Sequence, residues 1–352
     1  MLPLTKFYDV RQPLPSGKPG ELIRSEAYDE YYLPIDFTAT RILYRSVSPG
    51  GAGVAVSGVV LVPDKAPPIG GWPVIAWAHG FTGAARECAP SLWRNLYYGP
   101  LLSMYLNLGY AVVASDYVGL GTDSRSAVFD VQSHAADVIH AFPAARAAVP
   151  QLSGRWIAIG SFLGGNVAIT VAEMEATSRD SGYLGSIAIS PIPDMQTYYA
   201  QTTQESAGML VSLAYGIKTA YPEFQVADML TDKALPAYHE VDESCSGAEL
   251  PPKAVLKPNW AANKFVKEFF SRNALAQEPA HRPLLIIADD QDAALPPSQT
   301  SELIAHMCKQ GDRVKVNKVS DPSDLVVGDS VRDQMSWMEA RFAGRAVATD
   351  CH

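Results

Sequence analysis

The apolar positions along the chain change period several times, and each change marks an element. Residues 40–46 and 54–63 alternate apolar and polar side chains, as a half-buried antiparallel pair does. Residues 73–78 (PVIAWA) and 110–115 (YAVVAS) are short unbroken apolar runs, the pattern of parallel strands buried on both faces. Between these runs residues 92–108 have helical apolar spacing. Residues 133–148 repeat it ahead of a strand at 156–159 (WIAI), and another strand follows at 184–190. This alternation predicts a doubly wound, mostly parallel α/β sheet.

The next convincing strand, residues 283–288 (PLLIIA), comes too late for an ordinary crossover. The stretch before it carries helical pieces at 205–221, 226–230 and 261–271, broken by turns such as LPPKAVLKP, so residues 191–282 are expected to form an inserted helical cap. A helix at 298–310, a strand at 313–319 and a helix at 330–342 complete a core made of residues 1–190 and 283–352. Residues 7–31 are rich in Pro, Gly and charge, and predict an N-terminal arm (1–31) lying over the surface rather than a core element.

Composition narrows the function more than the fold. A chain of 352 residues with 47% hydrophobic content can bury one large core, and a net charge of −9 without a Lys/Arg cluster argues against nucleic acid or an anionic membrane as partner. A neutral or apolar small molecule fits better. No apolar run is long enough to span a bilayer, and MLPLTKFYDVRQPLP has no apolar core behind a basic start, so the expectation is a cytoplasmic protein, or a secreted one if a signal precedes this sequence. Cys88, Cys245, Cys308 and Cys351 lie far apart with no CxxC pair, which argues against a metal site. Free thiols in a reducing compartment and one or two long-range disulfides both fit that spacing.

The most informative motif follows the WIAI strand: Gly160-Ser161-Phe162-Leu163-Gly164-Gly165, then the helical run NVAITVAEME. Strand, G-x-S-x-G turn and helix form the elbow that presents a nucleophilic serine, where glycines let chains pack closely and the central side chain is thrust into a pocket. Here the turn is kept and its centre is Phe162. Ser161 stands one position early, and a shift of one residue on such a turn points a side chain elsewhere.

With the arm FYDVRQPLPSGKPGELIRSE, and WAHGFTG, SDYVGLGT, GSFLGG and RFAGR further on, nearly the whole chain resembles the secretory-lipase branch of the α/β-hydrolases. That resemblance implies an α/β-hydrolase fold with a helical cap over a pocket, and relatives that are serine esterases and lipases. It also implies an acid in the loop after PLLIIA, where Asp292 stands at the matching position, and a histidine base in the loop after residues 313–319. That loop reads SDPSDLVVGDS, with no histidine, and Ser323 or Asp324 stands where the base is expected. Asp289 and Asp290 read as solvated loop charges, and His306 as a helix-face residue. His134, His140, His239 and His281 fit helix faces or cap loops.

His79, Gly80 and Phe81 of WAHGFTG form the loop whose backbone N–H groups serve these enzymes as an oxyanion hole. Together with Ser161 and Leu163 they are the expected ligand-binding residues, and Phe162, Asp292 and Asp324 the expected active groups. No cofactor and no metal is called for. Without serine and histidine the expected function is a non-hydrolytic enzyme, such as a cyclase, isomerase or lyase, shaping a hydrophobic small molecule of specialised metabolism. A non-catalytic binding protein and a hydrolase with another constellation are the alternatives.

Overall fold

The computed structural model describes residues 1–11, 13–178, 180–201, 207–245, 254–290, 295–319 and 330–351. Among these residues nine strands form one sheet: β1 (Leu22–Ala27), β2 (Phe37–Val47), β3 (Gly53–Pro63), β4 (Trp72–Ala78), β5 (Ala111–Ser115), β6 (Leu152–Ser161), β7 (Tyr183–Ile189), β8 (Leu284–Asp289) and β9 (Val314–Val319). Their order is β1-β2-β3-β5-β4-β6-β7-β8-β9. The first three strands and the β3–β5 pair are antiparallel, and every pair from β5 to β9 is parallel. The parallel register sets Ala78 beside Gly160 and Ser161 beside Ile189, so the carboxyl ends of β4, β6 and β7 lie level.

The central strands are buried on both faces, which is why they read as continuous apolar runs. One face packs against α2 (Val131–Ala148) and α3 (Leu163–Ser178), the other against α1 (Gly99–Asn107) and α9 (Ser330–Phe342). The side chain of Asp130 starts α2 by accepting the Ser133 N–H at 3.0 Å. Between β7 and β8 the described chain carries α4 (Met195–Ala200), α5 (Ala207–Ala220), α6 (Leu235–His239) and α7 (Lys264–Arg272), and α8 (Pro297–Gln310) follows β8.

Three expectations need correction. The N-terminal segment is mostly exposed or half-exposed but is more than a surface arm: it supplies edge strand β1, and Tyr8 is fully buried with its hydroxyl 2.8 Å from Ser91 Oγ. The guanidinium of buried Arg41 lies 3.2 Å from the Tyr28 ring centroid and donates to Tyr31 Oη at 3.0 Å, pinning the segment down. β1 escaped notice because an edge strand is part-exposed on both faces and shows no alternation. The helix expected over 92–108 begins only at Gly99, since Leu96 and Tyr97 have φ of 54° and 66° and interrupt it. The free-thiol reading also fails, because Cys88 is bonded to Cys245 and Cys308 to Cys351. With it goes the chemical ground for a reducing compartment.

Candidate active site

Phe162 joins β6 to α3 with φ of 53°, a left-handed conformation that costs a bulky residue about 1–3 kcal/mol. Its N–H donates to the Ile189 carbonyl at 2.9 Å, and its own carbonyl accepts from Asn166 N at 3.1 Å. Asn166 in turn clamps the chain after β7, donating to Ile192 O at 2.9 Å and accepting from Ile192 N at 2.6 Å.

The surrounding glycines are fixed by packing. A Cβ on Gly160 would lie 2.0 Å from Gly164 O, and one on Gly164 2.1 Å from Ala78 O. A Cβ on Gly165 would sit 2.9 Å from Ile189 O. The sequence therefore spends three glycines to bring α3 down onto the ends of β4 and β7. The ring those glycines frame is 43% exposed, while Leu163 and Ser161 on either side are buried.

Strain gathers at this rim of the sheet. Of eight non-glycine residues with positive φ among the described residues, six lie in connections leaving strand carboxyl ends: Leu96, Tyr97, Tyr117, Phe129, Phe162 and Ser190. Ligands of open α/β sheets bind outside those ends, and backbone strain concentrates at such sites.

The loop after β4 is held from below and from the side. The ring of His79 is buried, with Nδ1 2.6 Å from Gly80 O and Nε2 3.2 Å from Asp116 O. Burial pushes its pKa down to about 4 although both carbonyls pull it up. It stacks on Tyr117 at 4.0 Å, and Tyr117 stacks on His134 at 4.1 Å. Burial, and then His79, lower the His134 pKa to about 3. Tyr117 Oη also donates to His79 O at 3.0 Å. Gly80 faces the elbow: a Cβ there would lie 3.6 Å from Ser161 O. Its N–H donates to Tyr98 Oη at 2.9 Å.

Phe81 stacks on Phe129 at 4.9 Å, and Phe129 meets Tyr199 edge-on at 5.1 Å, linking the loop to α4. Phe81 is also a wall of a cavity of about 200 Å³ shared with Val211 and Ser212 of α5 and with Val241 and Cys245. The Cys88–Cys245 bond ties the segment containing α4–α7 to the loop after β4.

The structure thus brings Ser161, Phe162 and Leu163 together with His79, Gly80 and Phe81. Asp292, Ser323 and Asp324 lie outside the described residues. Asp289, expected as a solvated loop charge, is instead the buried last residue of β8, paired with Val319, whereas Asp290 is exposed as expected. His306 is exposed on α8, 3.2 Å from the carbonyl of Ala276. None of the described histidines is hydrogen-bonded to Ser161. Tyr98 was not anticipated, and no local pattern could have pointed to it, because its contact with Gly80 spans 18 positions through a strained turn. Among the described residues no group of His, Cys, Asp and Glu is arranged to hold a metal ion, and no helix is long and apolar enough to cross a membrane.

The strand order, the helices on both faces and the elbow after β6 define an α/β-hydrolase. The sequence model of the secretory lipase family matches residues 99–350, and the chain belongs to that family. Lipase A of Candida antarctica superposes with a TM-score of 0.83 at 13% identity, over 99% of this chain and 87% of that one. The rice cell wall degrading esterase LipA of Xanthomonas oryzae superposes with a TM-score of 0.73 at 18% identity, over 93% of this chain and 97% of that one. At these identities the likeness speaks to the fold alone. Comparison with curated proteins found no match.

Proposed function

We propose that this lipase-family protein has left serine-hydrolase chemistry and acts as a non-hydrolytic enzyme, of cyclase, isomerase or lyase type, that holds a hydrophobic small molecule against Phe162. The observation carrying this reading is the elbow itself: a strained, glycine-framed position that presents a side chain, occupied by an aromatic ring. The absence of histidine from residues 320–329 agrees with it. Residues 191–282 are the roof of the pocket in this reading, supported by the Phe81–Phe129–Tyr199 contacts and the Cys88–Cys245 tie. Holding a flexible substrate in a reactive shape supplies up to about 7–11 kcal/mol in the best intramolecular cases with no covalent step. Asp292 and Asp324 are the carboxylates proposed to move a proton. Two disulfides and membership of a secretory family favour an oxidising compartment and secretion.

Family membership favours a second reading, ester hydrolysis with Ser161 as displaced nucleophile. The test is incubation with a fluorophosphonate and with p-nitrophenyl butyrate. We expect no covalent label and no turnover above a denatured control. Stoichiometric labelling at Ser161 with ester turnover would establish the second reading and overturn the first.

A further inference from the structure

Tyr98 is the group the loop after β4 has recruited. The chain reaches it through Leu96 and Tyr97, two successive non-glycine residues at φ 54° and 66°, just ahead of α1. Had the helix run back through these positions, as the apolar spacing of residues 92–108 suggests, Tyr98 would lie on the helix. Instead the turn places its ring edge-on to Trp77 at 5.1 Å and its oxygen 2.9 Å from the Gly80 N–H. Strain of this kind persists only where surrounding structure enforces it, and it clusters at sites of function. Leu96, 2% exposed, is the buried anchor.

The partner matters as much as the strain. In this fold an N–H from the loop after β4 and the N–H after the elbow face the carbonyl oxygen of the bound molecule. One N–H of that loop, the Gly80 N–H, is taken by a phenol oxygen. That phenol accepts from Gly80 and, among the described residues, donates to nothing. Donation from Gly80 also polarises the O–H bond, so the phenol is a stronger donor than a free one.

We propose that Tyr98 is the hydrogen-bond donor that the elbow pocket presents to a carbonyl or enolate oxygen on its hydrophobic ligand, beside the N–H groups of the loop after β4. This rests on the reading that the pocket beside Phe162 holds a hydrophobic small molecule, and it adds that the molecule carries such an oxygen. Burial pushes the Tyr98 pKa up to about 12, so the phenol stays protonated at neutral pH and serves as a donor rather than a base.

The test uses two probes on the full chain: 6-propionyl-2-(dimethylamino)naphthalene, a fluorescent ketone, and its 6-propyl analogue, which lacks the carbonyl. Both should bind the unaltered protein, and Phe162→Ala should weaken both alike, placing them at the elbow. Tyr98→Phe should weaken the ketone about threefold to tenfold, the worth of one neutral hydrogen bond, and the analogue less than about twofold. The infrared carbonyl band of the bound ketone should move to higher frequency in the variant. Tyr97→Phe, a neighbouring phenol that is 41% exposed, should change neither probe. If both probes bind at the elbow but Tyr98→Phe affects them equally or leaves the carbonyl band unmoved, the role of Tyr98 is refuted and the pocket stands. If neither probe binds the unaltered protein, or Phe162→Ala affects neither, the pocket reading fails and the proposal with it.

Discussion

Phe162 occupies the strained turn between β6 and α3, the place proposed for a replaced nucleophile, so the residue scale offers a direct experiment: put a hydroxyl there and ask whether ester chemistry appears. A serine at an elbow is a poor nucleophile until a base within hydrogen-bond reach takes its proton. Four of the described histidines are engaged elsewhere. His79 and His134 are buried in a stack with Tyr117, His140 is 3.0 Å from Ser46 Oγ, and His306 is turned to the Ala276 carbonyl. Phe162→Ser should therefore give no p-nitrophenyl butyrate turnover above a denatured control, and robust turnover by this variant alone would mean that another group supplies the base. The position was legible in the sequence because its three glycines stand at packing contacts no other residue fits. Tyr98 was illegible for the opposite reason: its placement comes from the left-handed backbone at Leu96 and Tyr97, residue types that do not advertise positive φ.

Elements of this fold could be read in proportion to how uniformly they are buried. β4, β5, β6, β7 and β8 lie within the sheet, and their apolar runs located them to within a few residues. β1 at the edge and the short helices α4 and α6 gave no such signal, since a strand half open to solvent and a helix of one or two turns are too weakly periodic. The contact between α3 and β4 depends on a single missing side chain. Adding a methyl at Gly164 sets it against the Ala78 carbonyl, backbone that cannot rotate aside. Gly164→Ala should therefore cost about 1–3 kcal/mol, read as a lower denaturation midpoint. Gly53→Ala, at a β3 position with nothing within 4 Å, should fall within about 0.5 kcal/mol of the unaltered protein. Equal effects at the two sites would show that the elbow relaxes more freely than its packing implies.

Across the whole molecule the two disulfides do different work, although a chain-entropy argument ranks them close together, at about 5 kcal/mol for one and about 4 for the other. They close separations of 157 and 43 residues. Cys88–Cys245 joins the loop after β4 to the segment between β7 and β8. Cys308–Cys351 holds the C-terminal tail along β9, the last strand of the sheet. There Asp350 N–H donates to Val314 O at 2.7 Å, and the Asp350 carboxylate accepts the Val316 N–H at 2.7 Å. An uncovered edge strand is a template for pairing with another chain, so the tail is a guard as well as a staple. Replacing Cys308 and Cys351 by serine should speed hydrogen exchange at the Val316 N–H and make the protein associate with rising concentration, while both naphthalene probes still bind. Replacing Cys88 and Cys245 should leave the Val316 N–H protected and weaken both probes, because the bond removed is the one between the loop carrying Phe81 and the segment proposed as roof. If the first pair of substitutions leaves the Val316 N–H as slow to exchange as before, hydrogen bonds alone hold the tail and the bond is not needed to cover the edge. If the second pair leaves probe binding unchanged, the segment keeps its place without the Cys88–Cys245 tie, and that bond acts on stability alone.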